Sequence, residues 1–253
     1  MSPTFWTRCG GRRSCTAWAG SPWRVVEGQH LVSTRRLVDD DGEQRELEEL
    51  LESAKPRVPR DAAGRSLHYL LFTPFRHPPL RHGSRFGGRH EPSLWYGAEE
   101  LPTALAEVAF YRFVFMSFTP ELRMPLRLEL SAFQAEVRTE VAVDLTAPPF
   151  DACTADLASK ADYTFTQALG AEMRADGVEV IRYRSARLDG GTNIALFTAR
   201  AFARPDPTVP QTWHCVADRE RIEFRRKSYF ERDTHAFARA QFLVDGRLPA
   251  PAA

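Results

Sequence analysis

Residues 83–118 read GSRFGGRHEPSLWYGAEELPTALAEVAFYRFVFMSF, and this stretch decides the fold class because three kinds of structure follow one another in it. Gly83, Gly87, Gly88 and Pro92 break regular structure and continue an irregular loop that starts at Pro78 and Pro79. Loops of that length inside a compact domain are uncommon and tend to carry function. Residues 94–98, Leu-Trp-Tyr-Gly-Ala, are a short strand candidate. From 99 to 118, Leu101, Ala104, Leu105, Val108, Tyr111 and Phe115 keep helical register, so the spacing predicts a helix.

The flanks continue the mixture. Residues 1–22 carry Gly, Ser, Arg and Trp without periodicity and read as an irregular N-terminal arm. Residues 23–32 are a first strand. Asp39 to Asp41 offer N-cap chemistry before an amphipathic helix over 43–54, in which Leu47, Leu50 and Leu51 share a face. Residues 55–64 form a loop and 67–75 a buried apolar segment. Strands are predicted over 126–133 and 137–145, a helix over 156–174 stopped near Gly177, and strands over 178–183 and 193–202. Pro205, Pro207 and Pro210 introduce a tail with a last strand at 221–224. No segment repeats and no linker is long enough to divide the chain, so one α+β domain is expected, a mixed β-sheet core with flanking helices.

Composition narrows the function classes. The 253 residues are 43% hydrophobic, enough for a core, and carry a net charge of only +1, too little for a global field that recruits nucleic acid. Of 34 basic residues only Lys55, Lys160 and Lys227 are lysine, leaving 31 arginines. The plain reading is a compositional bias toward arginine; the sharper one is that some of these planar forks grip an anion as lysine could not. No apolar run reaches the roughly 18 residues of a membrane span, and the first twenty residues hold no continuous apolar signal core. Cys9, Cys15, Cys153 and Cys215 make no C-x-x-C pair, so a cytoplasmic location is expected. Walker A, Rossmann, zincin and nucleophile-elbow patterns are absent, and no metal site is predicted. His214-Cys215 would point to opposite faces of a strand, which gives them a packing role.

Two glycine- and arginine-rich clusters carry the site signal. In Gly83-Ser84-Arg85-Phe86-Gly87-Gly88-Arg89 the glycines permit close backbone approach and the arginines can clamp phosphates, although a turn with solvated arginines has the same composition. Arg182-Tyr183-Arg184-Ser185-Ala186-Arg187, followed by Gly190-Gly191-Thr192-Asn193, is the second; Arg184 or Arg187 could serve the same ligand. Glu107 sits among Thr103, Ala104, Phe110, Tyr111 and Val114 at helical spacing. A carboxylate on such an apolar face needs either a partner such as Arg85 or Arg89, or a function.

In order, Gly83-Ser84-Arg85-Phe86-Gly87, Tyr96-Gly97-Ala98, Thr103-Ala104-Leu105-Ala106-Glu107-Val108, Tyr183-Arg184-Ser185-Ala186-Arg187 and Gly190-Gly191-Thr192-Asn193 resemble the motifs of RES-domain proteins. The resemblance spans about residues 23–202, with core motifs at 83–202. It implies a catalytic domain over 23–246, with 247–253 a disordered tail, and a fold like the ADP-ribosyltransferase fold of diphtheria toxin. Matched residue by residue, Arg85, Tyr96, Glu107 and Ser185 take the family's active-site positions. Arg85 to Tyr96 and Tyr96 to Glu107 are each eleven residues apart, which favours Arg85 as the clamp. The usual Gly-Gly-Arg-Trp-Asn motif differs at Ser84, Phe86 and Gly87, and a second alignment places Gly87-Gly88-Arg89 on it.

The resemblance implies a toxin of a toxin-antitoxin module that consumes NAD by cleaving the nicotinamide–ribose bond, as an NAD phosphorylase with inorganic phosphate or as an NAD glycohydrolase. Alternatives are a mono-ADP-ribosyltransferase acting on a protein and an inactive module that binds a nucleotide or an antitoxin. Arg85, Arg89, Tyr96, Ser185 and Asn193 would bind NAD, Glu107 would stabilise an oxocarbenium-like state, and no metal takes part. The implied partner is a cognate antitoxin with a helix-turn-helix DNA-binding domain covering the active site, with homo-oligomer formation in that complex left open. Direct nucleic-acid or membrane binding is not expected.

Overall fold

A computed structural model describes residues 4–28, 40–53, 55–77, 81–230 and 232–249. The described residues form ten strands in one sheet and six α-helices. The helices are α1 (Phe5–Arg8), α2 (Asp41–Ser53), α3 (Tyr69–Arg76), α4 (Leu101–Ser117), α5 (Thr154–Leu157) and α6 (Thr164–Ala175). The strands are β1 (Thr16–Gly20), β2 (Trp23–Glu27), β3 (Trp95–Ala98), β4 (Leu126–Gln134), β5 (Val137–Asp144), β6 (Val180–Arg184), β7 (Thr192–Leu196), β8 (Gln211–Ala217), β9 (Arg221–Arg226) and β10 (Thr234–Ala238). Their order in the sheet is β1-β5-β6-β7-β3-β2-β4-β8-β9-β10. Only β5 and β6 run parallel; all other neighbours are antiparallel, so the fold is α+β with a mixed sheet.

Three apolar clusters hold the layers together. Leu105, Ala109, Phe110 and Phe113 of α4 pack on Leu130, Trp213, Ile222 and Phe224. Leu169 and Met173 of α6, with Trp6, cover Val143, Ile181 and Ala195. Leu70 and Leu71 of α3 cover the opposite face at Trp95, Val180, Ile194 and Leu196. The alternation Val180/Ile181 and Ile194/Ala195 between these clusters is the period of two that strand geometry imposes.

Several elements differ from the sequence reading. The arm over 1–22 is ordered from residue 4: α1 packs on α6, and β1 pairs with β5 as the edge of the sheet. Its anchor is Trp6, which is buried, stacks near Phe150 and donates from Nε1 to Asp176 at 2.6 Å. The helix expected over 156–174 is broken between α5 and α6. There the carbonyls of Leu157, Ser159 and Lys160 accept from Arg85 and Arg187. The tail is part of the core: β8, β9 and β10 extend the sheet and Phe237 and Phe242 pack beneath α4. The strand expected at 193–202 stops at Leu196, and residues 199–201 turn as a 3-10 helix. Of the first strand's 23–32, β2 covers 23–27, and residues 29–32 lie outside the described residues, as do 250–253 of the expected tail.

The feature that positions the site is a divergence in the sheet. β3 and β2 are neighbours through a single registered pair, Trp23 with Ala98, while β2 pairs along its whole length with β4. α4 lies across this divergence and contacts β2, β3, β7 and β10.

Candidate active site

A cleft of 1140 Å³ opens along this divergence, between the Gly83–Gly88 loop, β2, β3 and the outer face of α4. Strand alternation sets its floor: Tyr96 pairs with Ala195, Ala98 with Asn193 and Tyr183 with Asn193. Tyr96, Tyr183 and Asn193 all line the cleft, together with Glu107 of α4 and Tyr163.

Glu107 is the polar centre. Its Oε1 accepts from Ser185 Oγ at 2.9 Å and from Asn193 Nδ2 at 2.6 Å. No described residue bonds its Oε2 within hydrogen-bond distance, so one carboxylate oxygen is fixed and the other faces a ligand-sized space. Ser185 is buried behind the carboxylate rather than on the cleft wall. Its Oγ also accepts from the N–H groups of Arg187 (3.0 Å) and Leu188 (3.3 Å), a turn that ends β6. Asn193 is 3% exposed, and with Nδ2 committed to Glu107 its Oδ1 has no partner among the described residues. A buried carbonyl oxygen left without a donor costs about 1–3 kcal/mol, which a ligand N–H or O–H would recover.

The glycine loop is a tight turn. Ser84 N–H donates to Gly87 carbonyl at 2.7 Å, and Gly83 has φ +78°. A Cβ at Gly83 would sit 2.3 Å from the Gly87 carbonyl oxygen, so glycine is required there. Tyr96 braces the turn: its hydroxyl accepts from Phe86 N–H at 3.1 Å and pairs with Ser84 Oγ at 2.8 Å. Burial pushes its phenol up to about 12, against the lowering by the Ser84 bond, so it is neutral over the physiological range. Burial likewise raises the phenol of Tyr183, with the nearby Glu107 charge adding to the effect.

The arginines separate clearly. Arg85 lines the cleft, stacks 4.5 Å over the Tyr163 ring, and donates to the carbonyls of Leu157 (3.1 Å) and Ser159 (2.9 Å). Arg89 is exposed, bonded to His90 and outside the cleft lining. The structure therefore brings Arg85, not Arg89, into the cleft with Tyr96, Glu107 and Asn193. Arg187 is buried, donates to Lys160 and Tyr163 and lies 3.4 Å over the Phe110 ring; Arg184 is exposed. Neither lines the cleft. Sequence reasoning missed Tyr163, hidden by the false continuous helix, and Arg24 of β2, whose only signal was a charge inside an apolar strand. Cys215 is buried and His214 exposed, on opposite faces of β8 as strand geometry requires.

Sequence comparison bears on this geometry directly. The RES domain family matches residues 57–218, well over half of the chain and every cleft residue from Arg81 to Asn193. The chain belongs to the RES-domain family. No curated protein matched it in a sequence search. The match ends at the end of β8, so this RES-domain protein adds β9 and β10 beyond it, and its N-terminal α1, β1 and β2 precede it. No described helix is long and apolar enough to cross a membrane.

Proposed function

We propose that this RES-domain protein consumes NAD by breaking the bond between nicotinamide and ribose, with Glu107 as the catalytic carboxylate. The observation that carries the reading is the state of Glu107: Oε1 held by Ser185 and Asn193, Oε2 unbonded among the described residues, in a cleft walled by Tyr96, Tyr163 and Tyr183. Such a group suits a positive charge that develops on the substrate. As the C1′–N bond breaks, its electron pair leaves with the ring, nicotinamide departs neutral, and the ribose takes on oxocarbenium character. Glu107 stabilises that sugar cation or orients its 2-hydroxyl. The orphaned Asn193 Oδ1 suits a donor on nicotinamide or ribose, and the aromatic walls suit flat rings.

The acceptor that closes the sugar can be phosphate, giving a glycosyl phosphate, water, giving ADP-ribose and a proton, or a protein nucleophile. The purified protein should release nicotinamide from NAD. A requirement for phosphate would identify a phosphorylase, release without it a glycohydrolase, and transfer of label from NAD to protein an ADP-ribosyltransferase. NAD left intact under all three conditions contradicts the reading. As a toxin, the wild-type protein should arrest bacterial growth unless an antitoxin covers the cleft, and Glu107→Gln should be tolerated. Harmless wild-type expression would count against a toxin.

A further inference from the structure

Four arginines line the cleft, and three are accounted for. Arg112 is paired with Glu27, Arg85 donates to two carbonyls over the Tyr163 ring, and Arg81 is exposed at the rim. Arg24 is different. It rises from β2 at the divergence from β3, and Nη1 donates to the Tyr96 carbonyl at 2.5 Å across the gap. Its guanidinium lies over the Trp95 ring, 5.4 Å from the centroid. Nε is buried without a hydrogen-bond partner, and among the described residues no carboxylate pairs with it.

A half-buried guanidinium on the cleft wall, with its Nε shielded and unbonded and no carboxylate partner among the described residues, is an incomplete pair that a bound anion would complete. We propose that Arg24 is the phosphate-gripping arginine of this cleft, holding the phosphoryl oxygens of a nucleotide ligand while Glu107 works at the sugar. The proposal rests on the NAD reading for its ligand and moves the clamp from Arg85 to a residue that precedes the family match. Burial pulls the pKa of Arg24 down to about 10, as expected of a cation lacking its anion. In a dinucleotide the pyrophosphate is several bonds from the nicotinamide linkage, so the clamp and the carboxylate occupy different parts of one elongated cleft.

The test is calorimetric titration of the full chain with ADP-ribose, inorganic pyrophosphate, inorganic phosphate and nicotinamide, for the wild type, Arg24→Gln, Arg24→Lys, Arg85→Gln and Arg89→Gln. Circular dichroism melts confirm that each is folded at the titration temperature. Arg24→Gln should weaken ADP-ribose and pyrophosphate at least tenfold and leave nicotinamide unchanged, and Arg24→Lys should lose several-fold because the fork is gone. Arg89→Gln should bind as wild type. Loss of inorganic phosphate alone would assign Arg24 to a phosphate co-substrate and overturn the nucleotide clamp. Wild-type ADP-ribose affinity in Arg24→Gln, or in Arg24→Lys should the glutamine variant not fold, overturns it, as does a loss confined to Arg85→Gln. Binding through Arg24 without NAD turnover would retain the clamp while refuting the proposed reaction.

Discussion

Ser185 shows how one hydroxyl serves both stability and site geometry. It donates to Glu107 and accepts from two backbone N–H groups, one of them on buried Arg187. Ser185→Ala leaves those donors unmet, at about 1–3 kcal/mol. For a chain of this size that lowers Tm by roughly 3–10 °C, and it should also slow NAD cleavage because Glu107 loses one of its two donors. An unchanged melt would show that water replaces the hydroxyl at no cost. Tyr96 gives a pH prediction. Its folded pKa is raised from the ordinary 10 to about 12, so its contribution is complete below pH 10 and is lost as pH rises through 12. Stability monitored by fluorescence should therefore fall in that alkaline window, less steeply in Tyr96→Phe; identical slopes in the two proteins would contradict the assignment. Much of this residue-level picture was legible in the sequence. The two eleven-residue spacings chose Arg85 over Arg89, and the apolar surroundings of Glu107 demanded partners. The identity of those partners was not legible, because Asn193 and Ser185 reach Glu107 only through tertiary folding.

At the scale of elements, the loop that carries Arg85 is seated by a helix packed against it. Gly170 of α6 has no room for a side chain: a Cβ would lie 2.2 Å from the Phe86 carbonyl oxygen and 2.8 Å from its carbon. Gln167 of the same helix donates to the His82 and Ser84 carbonyls at 3.1 and 3.0 Å. Gly170→Ala must push the loop away from α6. A cost of about 1–3 kcal/mol, read from urea unfolding, should accompany at least a tenfold loss of ADP-ribose affinity. A variant as stable and as tight as wild type would mean that the loop is not clamped. The helix over 99–118 was plain in the sequence because Leu101, Ala104, Leu105, Val108, Tyr111 and Phe115 keep helical spacing over a stretch too long for a strand. The break between α5 and α6 was not, since its cause is distant: Arg85 and Arg187 take carbonyls that a continuous helix would use itself.

At the scale of the molecule, the segment beyond the family match completes the core under α4. Ile222, Phe224, Phe237 and Phe242 are buried there with Phe110 and Phe113. Truncation after Asp218 removes four buried side chains, each contributing about 1.5–3 kcal/mol, together comparable to a domain's usual margin of stability. The truncated chain should be insoluble or lack a cooperative melt; a soluble fragment with wild-type Tm would refute the assignment of this segment to the core. This region reads as a tail in the sequence because three prolines precede it, and the meander of β8, β9 and β10 joins the sheet only through the distant pairing of β8 with β4. The central claim concerns Glu107, whose carboxylate is fixed on one oxygen and open on the other. The most direct measurement is nicotinamide release from NAD by wild-type protein and by Glu107→Gln of equal thermal stability. The account predicts release by the wild type and at least a thousandfold slower release by the variant, whereas equal rates in the two proteins would contradict it.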